Sequence, residues 1–357
     1  MHSFTYDALP VRVVFGAGRV HELPAELERL GAKKALVLST PGQWGLATKM
    51  VALLGGKCAG LFDRAVMHVP VEVAEAACAE AKRIDADACI AVGGGSTTGL
   101  AKAIARETGL PIIAIPTTYA GSEMTPVWGI TRDGVKETGR DLRVLPRTVI
   151  YDGELTLDLP VPISVTSGIN AIAHCVEALY ARDANPLISL AAEEGIRAMA
   201  TALPLFVKGA DREIAAREHA LYGAWLSGVA LASAGMALHH KLCHTLGGSF
   251  GLPHAEVHTV ILPHAVAYNT PDARVAMERV ANALSFPERA VPEAAGGLWD
   301  LAAHLAAPVS LESIGMRRRD LEKAADLAVA NPYWNPRSIT REGVRRLLEN
   351  AFEGKRP

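Results

Sequence analysis

Cysteine and net charge are both scarce in this sequence. The five cysteines are odd in number and none forms a CxxC pair. Such a set predicts neither a disulfide framework nor a structural zinc site, and it is typical of a reducing cytoplasm. The formal net charge of −2 leaves no basic excess to neutralise phosphates, which argues against a nucleic-acid partner.

Long apolar runs are also missing. No stretch is long enough to cross a bilayer, and the first ten residues lack the basic start and apolar run of a secretory signal. These absences predict a soluble, cytoplasmic protein without a membrane partner. The length of 357 residues, half of them hydrophobic, suits two globular domains.

Short apolar segments alternate with helical patterns over the first part of the chain. Six segments are strand candidates, and several of them are continuously apolar, as expected for strands covered on both faces. They are Val11–Phe15, Lys34–Ser39, Cys58–Phe62, Ala88–Val92, Pro111–Pro116 and Thr148–Tyr151. Strand–helix alternation predicts parallel βαβ units in a doubly wound sheet.

Strand signals end near Leu155, and Pro160 and Pro162 mark a connection there. Long helices rich in alanine and leucine follow: Ser164–Arg182, Pro186–Lys208, Asp211–Ser233, His239–Phe250, Glu256–Tyr268, Asp320–Ala330 and Thr340–Glu353. The predicted architecture is an α/β dinucleotide-binding domain at residues 1–155, followed by an all-helical catalytic domain at 156–357.

A glycine-rich loop follows the fourth predicted strand: Gly93, Gly94, Gly95 and Ser96. Glycines at a strand–helix junction let backbone N–H groups and a helix N-terminus approach a pyrophosphate. The loop does not match GxGxxG, and a plain tight turn would have the same sequence. Two neighbouring strand ends carry hydroxyls, at Ser39, Thr40, Thr117 and Thr118. The glycine loop and the two hydroxyl-bearing loops make three loops at one sheet edge, which favours nucleotide binding over simple helix capping.

Histidine is concentrated late in the chain. Three i, i+4 pairs each share one helix face: Asn170 with His174, His240 with His244, and His254 with His258. Pro253 predicts a turn that brings the third helix back over the second. Pairs on successive helices favour a catalytic site over isolated core histidines. His239 and Lys241 add positive charge suited to an anionic substrate, although Lys241 equally fits an exposed surface lysine.

These residues together resemble the iron-containing alcohol dehydrogenase superfamily over nearly the whole chain. The resemblance rests on Phe15–Gly18, the glycine loop, Pro116–Thr118, the histidine pairs and Asn335–Arg337. It implies a nicotinamide coenzyme and the fold shared with dehydroquinate synthase. It also implies four vestigial metal-ligand positions, at Asn170, His174, His240 and His254.

Within the superfamily, four segments are most similar to the maleylacetate reductases: Gly94–Ala103, Pro116–Thr131, Ser167–Tyr180 and His239–Gly248. Gly99 and Asn170 each stand where aspartate is common in the superfamily, and both departures fit this subgroup. The resemblance implies that NADH or NADPH reduces the conjugated C=C bond of maleylacetate to give 3-oxoadipate, in aromatic-compound catabolism. It further implies a homodimer. Asn170, a neutral and weak ligand where a carboxylate is usual, predicts that the reaction requires no metal.

The chemistry of this reaction leads to a hypothesis about the roles of single residues. His244 is the first candidate for proton donor, with His254 and His174 polarising or orienting the substrate. His240 and Asn170 complete the catalytic set, and Lys241 or His239 pairs with a substrate carboxylate. Lys136 aligns with a family lysine near the coenzyme ribose or nicotinamide, an exposed surface lysine being the alternative. Preference between NADH and NADPH stays open, because Thr40 rather than an aspartate follows the second strand.

Three other functions are compatible with the sequence. A metal-dependent alcohol dehydrogenase of the same superfamily would hold iron or zinc and oxidise simple alcohols. A lyase of the dehydroquinate synthase type would recycle bound NAD, so that no NADH is consumed. A catalytically inactive nucleotide-binding protein would turn over no carbonyl or enone, and the intact histidine pairs argue against it.

Overall fold

A six-stranded parallel sheet organises the first half of the chain. The computed structural model describes residues 3–132, 135–285 and 290–357. The strands of this half are β1 (Arg12–Phe15), β2 (Ala35–Leu38), β3 (Cys58–Phe62), β4 (Ala88–Gly93), β5 (Ile112–Pro116), β6 (Val127–Arg132), β7 (Val135–Arg140) and β8 (Thr148–Tyr151). The parallel sheet has the order β1-β8-β5-β4-β2-β3, with β4 and β5 buried throughout. All six predicted strands are confirmed, with ends that differ by one residue at most.

Helices cover both faces of this sheet, as continuous apolar strands require. They are α1 (Leu23–Arg29), α2 (Trp44–Leu54), α3 (Val71–Arg83) and α4 (Gly95–Thr108). Successive residues of β4 point to opposite faces: Ile90 packs with α1 and α2, whereas Cys89 and Ala91 pack with α3 and α4. The predicted doubly wound α/β architecture is confirmed.

Strands β6 and β7 form an antiparallel hairpin that the sequence patterns did not predict. Half of its residues are polar, and only Ile130 of β6 is buried, so neither strand has the apolar signature of a covered strand. The hairpin is fixed by side chains instead. The guanidinium of Arg106 lies 3.8 Å from the ring centroid of Trp128, and Gly139 leaves room for the same indole.

The second half of the chain is helical. Its helices are α5 (Val161–Tyr180), α6 (Pro186–Leu205), α7 (Ile214–Ser233), α8 (Leu238–Phe250), α9 (His254–Asn269), α10 (Arg274–Leu284), α11 (Ala294–His304), α12 (Leu321–Val329) and α13 (Arg341–Glu353). The seven predicted helices are confirmed with ends that differ by up to three residues. Helix α5 is the most central of them, because 17 of its residues are buried.

The chain divides into two compact units. One unit contains Ala8–Leu159 and Arg212–Leu221, and the other contains Pro160–Asp211, Tyr222–Pro357 and the described residues before Ala8. The break at Leu159 lies close to the predicted boundary after residue 155, but the first turns of α7 group with the sheet. The fully buried Arg217 explains this grouping, since it donates hydrogen bonds to Tyr119 Oη (3.0 Å) and the Leu159 carbonyl (2.9 Å). The division into domains at 155/156 stays a prediction.

No single helix in the described part of the chain is long and apolar enough to span a bilayer. Helices α7 and α8 meet that criterion together, by length and composition only, and they are bent by 98° at the break between them.

Candidate active site

The glycine loop lies between β4 and α4 at the carboxyl edge of the sheet. Gly93 has φ +141°, a conformation that other residues rarely adopt. A Cβ on Gly94 would lie 2.8 Å from Thr118 Oγ1, so glycine is required there by its neighbour. A Cβ on Gly95, by contrast, would have only Ala120 Cβ near it, at 4.0 Å. The space above Gly95 at the start of α4 is where a phosphate has direct access to the helix N-terminus.

Two loops, called here the hydroxyl loops, lie beside the glycine loop: Ser39 and Thr40 after β2, and Thr117 and Thr118 after β5. Gly93 pairs with Pro116 in the sheet, and the backbone N–H of Thr117 donates to the Gly93 carbonyl over 3.1 Å. Gln43, which the sequence patterns did not single out, donates from Nε2 to Thr117 Oγ1 over 2.9 Å and ties in the loop after β2. The hydroxyl of Ser39 in that loop is buried without a hydrogen-bond partner among the described residues. The predicted coenzyme residues Ser39, Thr40, Gly93, Gly94, Gly95, Ser96, Thr117 and Thr118 therefore share one edge.

Lys136 is not part of this edge. It lies in β7, opposite Thr131 of the hairpin. Thr131 in turn donates to the His68 carbonyl over 2.8 Å, so the hairpin is attached to the loop after β3.

A buried lysine supports the segment that follows Thr117 and Thr118. Lys102 Nζ donates to the Ser122 carbonyl (2.6 Å), Thr125 Oγ1 (2.9 Å) and the Val127 carbonyl (2.8 Å). Burial lowers the pKa of Lys102 to about 7. Three acceptors for one ammonium group fix the path of the chain between β5 and β6.

Helices α5, α8 and α9 bring five imidazole rings together. The ring centroids are 5.0 Å apart for His174 and His240, 4.9 Å for His240 and His258, and 4.5 Å for His254 and His258. His244 lies 6.1 Å from His240 and 6.4 Å from His254. His174, His240 and His258 are buried, His254 is half-buried and His244 is exposed. The predicted return of α9 over α8 is confirmed, and the cluster opens to solvent at His244.

Four buried polar atoms of this cluster have no hydrogen-bond partner in the described part of the chain: Asn170 Oδ1, His174 Nδ1, His240 Nε2 and His258 Nε2. Buried polar atoms are rarely left without partners in native proteins. Their concentration in one place indicates a site that receives a polar ligand or water.

Glu177 is a residue of the candidate site that the sequence patterns did not single out. It lies one turn after His174 and accepts hydrogen bonds from His240 Nδ1 (2.6 Å) and from the backbone N–H groups of Ala237 (2.9 Å) and His239 (2.9 Å). The carboxylate thus caps the start of α8 and fixes the His240 ring, so that Nε2 is the ring atom left for a ligand. The signal available in the sequence was that Glu177 is the only carboxylate in α5.

The protonation states within the cluster follow from burial. Burial, and then the charges of neighbouring imidazoles, hold the pKa of His174 and of His258 well below the usual range. Burial lowers the pKa of His239 to about 3. These three rings are therefore neutral at neutral pH.

The expectation that His239 adds positive charge and pairs with a substrate carboxylate is wrong. Its side chain is fully buried, and Nε2 lies 2.9 Å from His258 Nδ1 and 3.7 Å from Cys243 Sγ. The ring is committed to these internal contacts. Lys241, the other candidate, is half-buried, and its ammonium group lies 5.7 Å from the ring centroid of Tyr333.

The four superfamily metal positions contain no carboxylate. Asn170 offers a neutral amide oxygen where a carboxylate would add charge, and Glu177 already uses both carboxylate oxygens. Within the described residues, the group of metal-ligand side chains whose donor atoms all lie within 4.8 Å of one another is His239, Cys243 and His258. His239 and His258 are joined by an imidazole–imidazole hydrogen bond, which occupies one ring nitrogen of each.

Two family models match the chain. The model "Iron-containing alcohol dehydrogenase" matches residues 10–153, and the model "Fe-containing alcohol dehydrogenase family, C-terminal" matches residues 164–352. Together they cover both halves of the chain.

Individual relatives match over the full length. The maleylacetate reductase of Burkholderia cepacia is 58% identical over 358 residues, with 100% of both chains covered. The crystal structure of maleylacetate reductase from Agrobacterium tumefaciens is 53% identical, with a TM-score of 0.95 and 100% of both chains covered. A solved structure from Ralstonia eutropha JMP134, named as an alcohol dehydrogenase, is 59% identical with a TM-score of 0.97 and 100% coverage.

Proposed function

The chain belongs to the iron-containing alcohol dehydrogenase family, and we propose that it reduces maleylacetate to 3-oxoadipate at the expense of NADH or NADPH. The observation that carries this proposal is the 58% identity, over the whole chain, to a maleylacetate reductase. The chain is an oxidoreductase. Its place in aromatic-compound catabolism, its homodimeric assembly and its cytoplasmic location stay predictions.

The reaction joins a hydride and a proton to one C=C bond. Maleylacetate is a dicarboxylate in which that bond is conjugated to a ketone. Hydride from the reduced nicotinamide adds to the carbon β to the ketone, and the electron pair of the C=C bond moves onto the ketone oxygen as an enolate. A proton then adds to the α carbon, which restores the ketone and gives 3-oxoadipate and the oxidised coenzyme. The protein must therefore stabilise an oxyanion and deliver one proton.

The histidine cluster suits both tasks. His240 Nε2, His174 Nδ1 and Asn170 Oδ1 are among the buried polar atoms without hydrogen-bond partners in the described structure, and we assign them to the substrate. Because His174 is neutral, the proton must come from a more accessible ring. His244 is exposed and half-buried His254 lies beside it, so we assign His244 as the proton donor and His254 as the group that orients the substrate.

We assign the coenzyme to the edge formed by the glycine loop and the hydroxyl loops. Gly95 and the N-terminus of α4 offer the approach that a pyrophosphate needs, and Thr117 and Thr118 border it. Lys136 stays a candidate for the ribose or nicotinamide end. No acidic side chain directly follows β2, where Ser39 and Thr40 stand, so NADPH is as acceptable as NADH.

The proposal is tested by the loss of reduced coenzyme on adding maleylacetate. Purified protein should oxidise NADH or NADPH in this assay, and 3-oxoadipate should accumulate in equal amount. The matched control is NAD with ethanol, propanediol or glycerol, which should give little reduction. Rapid NAD reduction by an alcohol with no maleylacetate-dependent rate would instead identify an alcohol dehydrogenase.

We further propose that the reaction needs no metal. The ketone is already conjugated to the C=C bond, so hydrogen bonds to the oxygen can stabilise the enolate without a Lewis acid. Asn170 supports this, since its neutral oxygen is a weak ligand for iron or zinc. Three imidazoles alone bind zinc in some enzymes, and the amount of bound metal distinguishes the two cases.

Metal content and chelation provide that measurement. We expect purified protein to hold substoichiometric metal and to keep its maleylacetate-dependent rate after chelator treatment and dialysis. Asn170→Asp restores a carboxylate and should raise zinc affinity, measured by calorimetric titration. One tightly held metal per subunit, with activity lost on its removal and regained on its return, would contradict the proposal.

A further inference from the structure

Tyr333 is a polar group near the histidine cluster that the proposed reaction does not yet use. Its hydroxyl is buried and has no hydrogen-bond partner within the described residues. The charge of Glu177, the carboxylate that fixes His240, contributes to raising the pKa of Tyr333 after burial. A hydroxyl that is buried and unpaired beside a catalytic cluster is expected to have a ligand as its partner.

Lys241 lies beside the ring of Tyr333. It follows His240 directly on α8, and its ammonium group lies 5.7 Å from the ring centroid of Tyr333. No salt bridge to Lys241 is formed by a described residue, although its side chain is half-buried. A half-buried ammonium without a carboxylate partner is well suited to an anion.

The loop that carries Tyr333 is held in place by an asparagine pair. Asn335 Nδ2 donates to Asn269 Oδ1 over 2.7 Å, and Asn269 Nδ2 donates back to Asn335 Oδ1 over 3.1 Å. Asn335 Oδ1 also accepts from the backbone N–H of Leu238, at the start of α8, over 3.4 Å. These bonds join the loop to α9 and to the helix of Lys241, so Tyr333 and Lys241 keep a fixed relation. A cavity of about 290 Å³ lies within this loop, and Tyr333 and Asn335 line it.

We propose that Lys241 and Tyr333 form a subsite for one carboxylate of the substrate. The ammonium group supplies charge and the hydroxyl supplies a directed hydrogen bond, which together fix a carboxylate oxygen. The inference rests on the proposed maleylacetate reduction and makes the enzyme selective for dicarboxylates over simple enones. Tyr333 is thus a specificity-determining residue that the sequence patterns did not show.

The two carboxylates of maleylacetate differ in their distance from the ketone. One is attached to the C=C bond, and the other is separated from the ketone by a single CH₂ group. Tyr333 is close enough to Glu177, the carboxylate that holds His240, for the charge of Glu177 to raise its pKa, and we assign His240 Nε2 to the ketone end of the substrate. The carboxylate next to the ketone is therefore the one assigned to the subsite.

A shortened substrate tests this assignment. 4-Oxopent-2-enoate keeps the enone and the carboxylate on the C=C bond, but a methyl group replaces the arm that carries the second carboxylate. We expect Lys241→Met to lower kcat/KM for maleylacetate about 10- to 100-fold, mainly through KM, because a hydrogen bond to a charged group is lost. With 4-oxopent-2-enoate the same variant should lose less than about threefold.

The companion variants separate recognition from structure. Tyr333→Phe should raise KM for maleylacetate about 3- to 10-fold without lowering the midpoint of thermal unfolding, because its hydroxyl bonds to no described residue. Lys241→Arg should recover part of the affinity, and the exposed Lys208→Met should behave as wild type. KM for the coenzyme should be unchanged in Lys241→Met, Lys241→Arg, Tyr333→Phe and Lys208→Met.

The outcomes are distinguishable. Equal losses on both substrates, or no loss on either, would overturn the subsite while leaving maleylacetate reduction intact. Wild-type protein that oxidises neither coenzyme with maleylacetate would overturn the proposed function itself, and the subsite with it.

Discussion

His244→Ala should lower kcat for maleylacetate about 10²- to 10⁴-fold, the usual contribution of a positioned acid. His244 is the exposed ring of the cluster, 6.1 Å from His240 and 6.4 Å from His254, and the buried rings of His174 and His258 are neutral. The accessible ring can take a proton from solvent and pass it to the α carbon. The measurement is steady-state oxidation of the reduced coenzyme, compared with coenzyme affinity from fluorescence titration.

The control for this variant is His304→Ala, which removes an exposed histidine at the end of α11. It should leave both kcat and coenzyme affinity unchanged. A His244→Ala enzyme within a few-fold of the parent would remove His244 from the mechanism and make His254 the next donor to test. A loss of coenzyme affinity in parallel with kcat would point to a structural effect instead.

Glu177→Gln should lower the free energy of unfolding by about 3 kcal/mol and activity by about 10- to 100-fold. One carboxylate oxygen accepts from His239 N–H and from Tyr180 Oη, and the other accepts from Ala237 N–H and His240 Nδ1. Either orientation of a glutamine amide therefore sets its NH₂ group against a buried N–H donor. Chemical denaturation measures the first effect, and the maleylacetate assay measures the second.

Glu194→Gln is the matched control, because Glu194 forms an exposed i, i+3 pair with Arg197 on α6. Exposed pairs contribute about 0–1 kcal/mol, so this variant should unfold almost as the parent does. If Glu177→Gln and Glu194→Gln unfold alike, Glu177 does not hold the start of α8 in the way described.

The effect of Glu177 on stability should also depend on pH. Burial on its own raises the pKa of this carboxyl, but the hydrogen bond and charge of His240, with the backbone N–H groups, lower it to about 2. An unfolded glutamate titrates near about 4.3. A lowered folded pKa means that the stabilisation is complete above the unfolded value and is lost as pH falls towards about 2. The difference in unfolding free energy between wild type and Glu177→Gln should thus be constant above about pH 5 and shrink below it.

Local patterns were sufficient for most of the fold. Short apolar runs between helical patterns located all six strands of the main sheet, and the most continuous of them are strands whose two faces are both covered. The β6–β7 hairpin has no such signature, since polar residues interrupt both strands and contacts such as Arg106 on Trp128 stabilise it. The helices were located in the same way, because amphipathic or apolar periodicity is visible in the sequence. The attachment of the first turns of α7 to the sheet unit through Arg217 is a long-range contact, which no periodicity reveals.

The sequence by itself determined the positions of the glycine loop, the hydroxyl loops and the i, i+4 histidine pairs, because each depends on spacing within a few residues. Only the tertiary structure decided which groups complete them. Glu177 reaches a backbone N–H 60 residues away, and no local pattern encodes that contact. Tertiary burial also made His239 neutral rather than cationic, since the pKa depends on desolvation and not on residue type alone. The placement of Tyr333 beside Lys241 likewise depends on a loop held to α8 and α9 by Asn335, more than 90 residues after Lys241 in the chain.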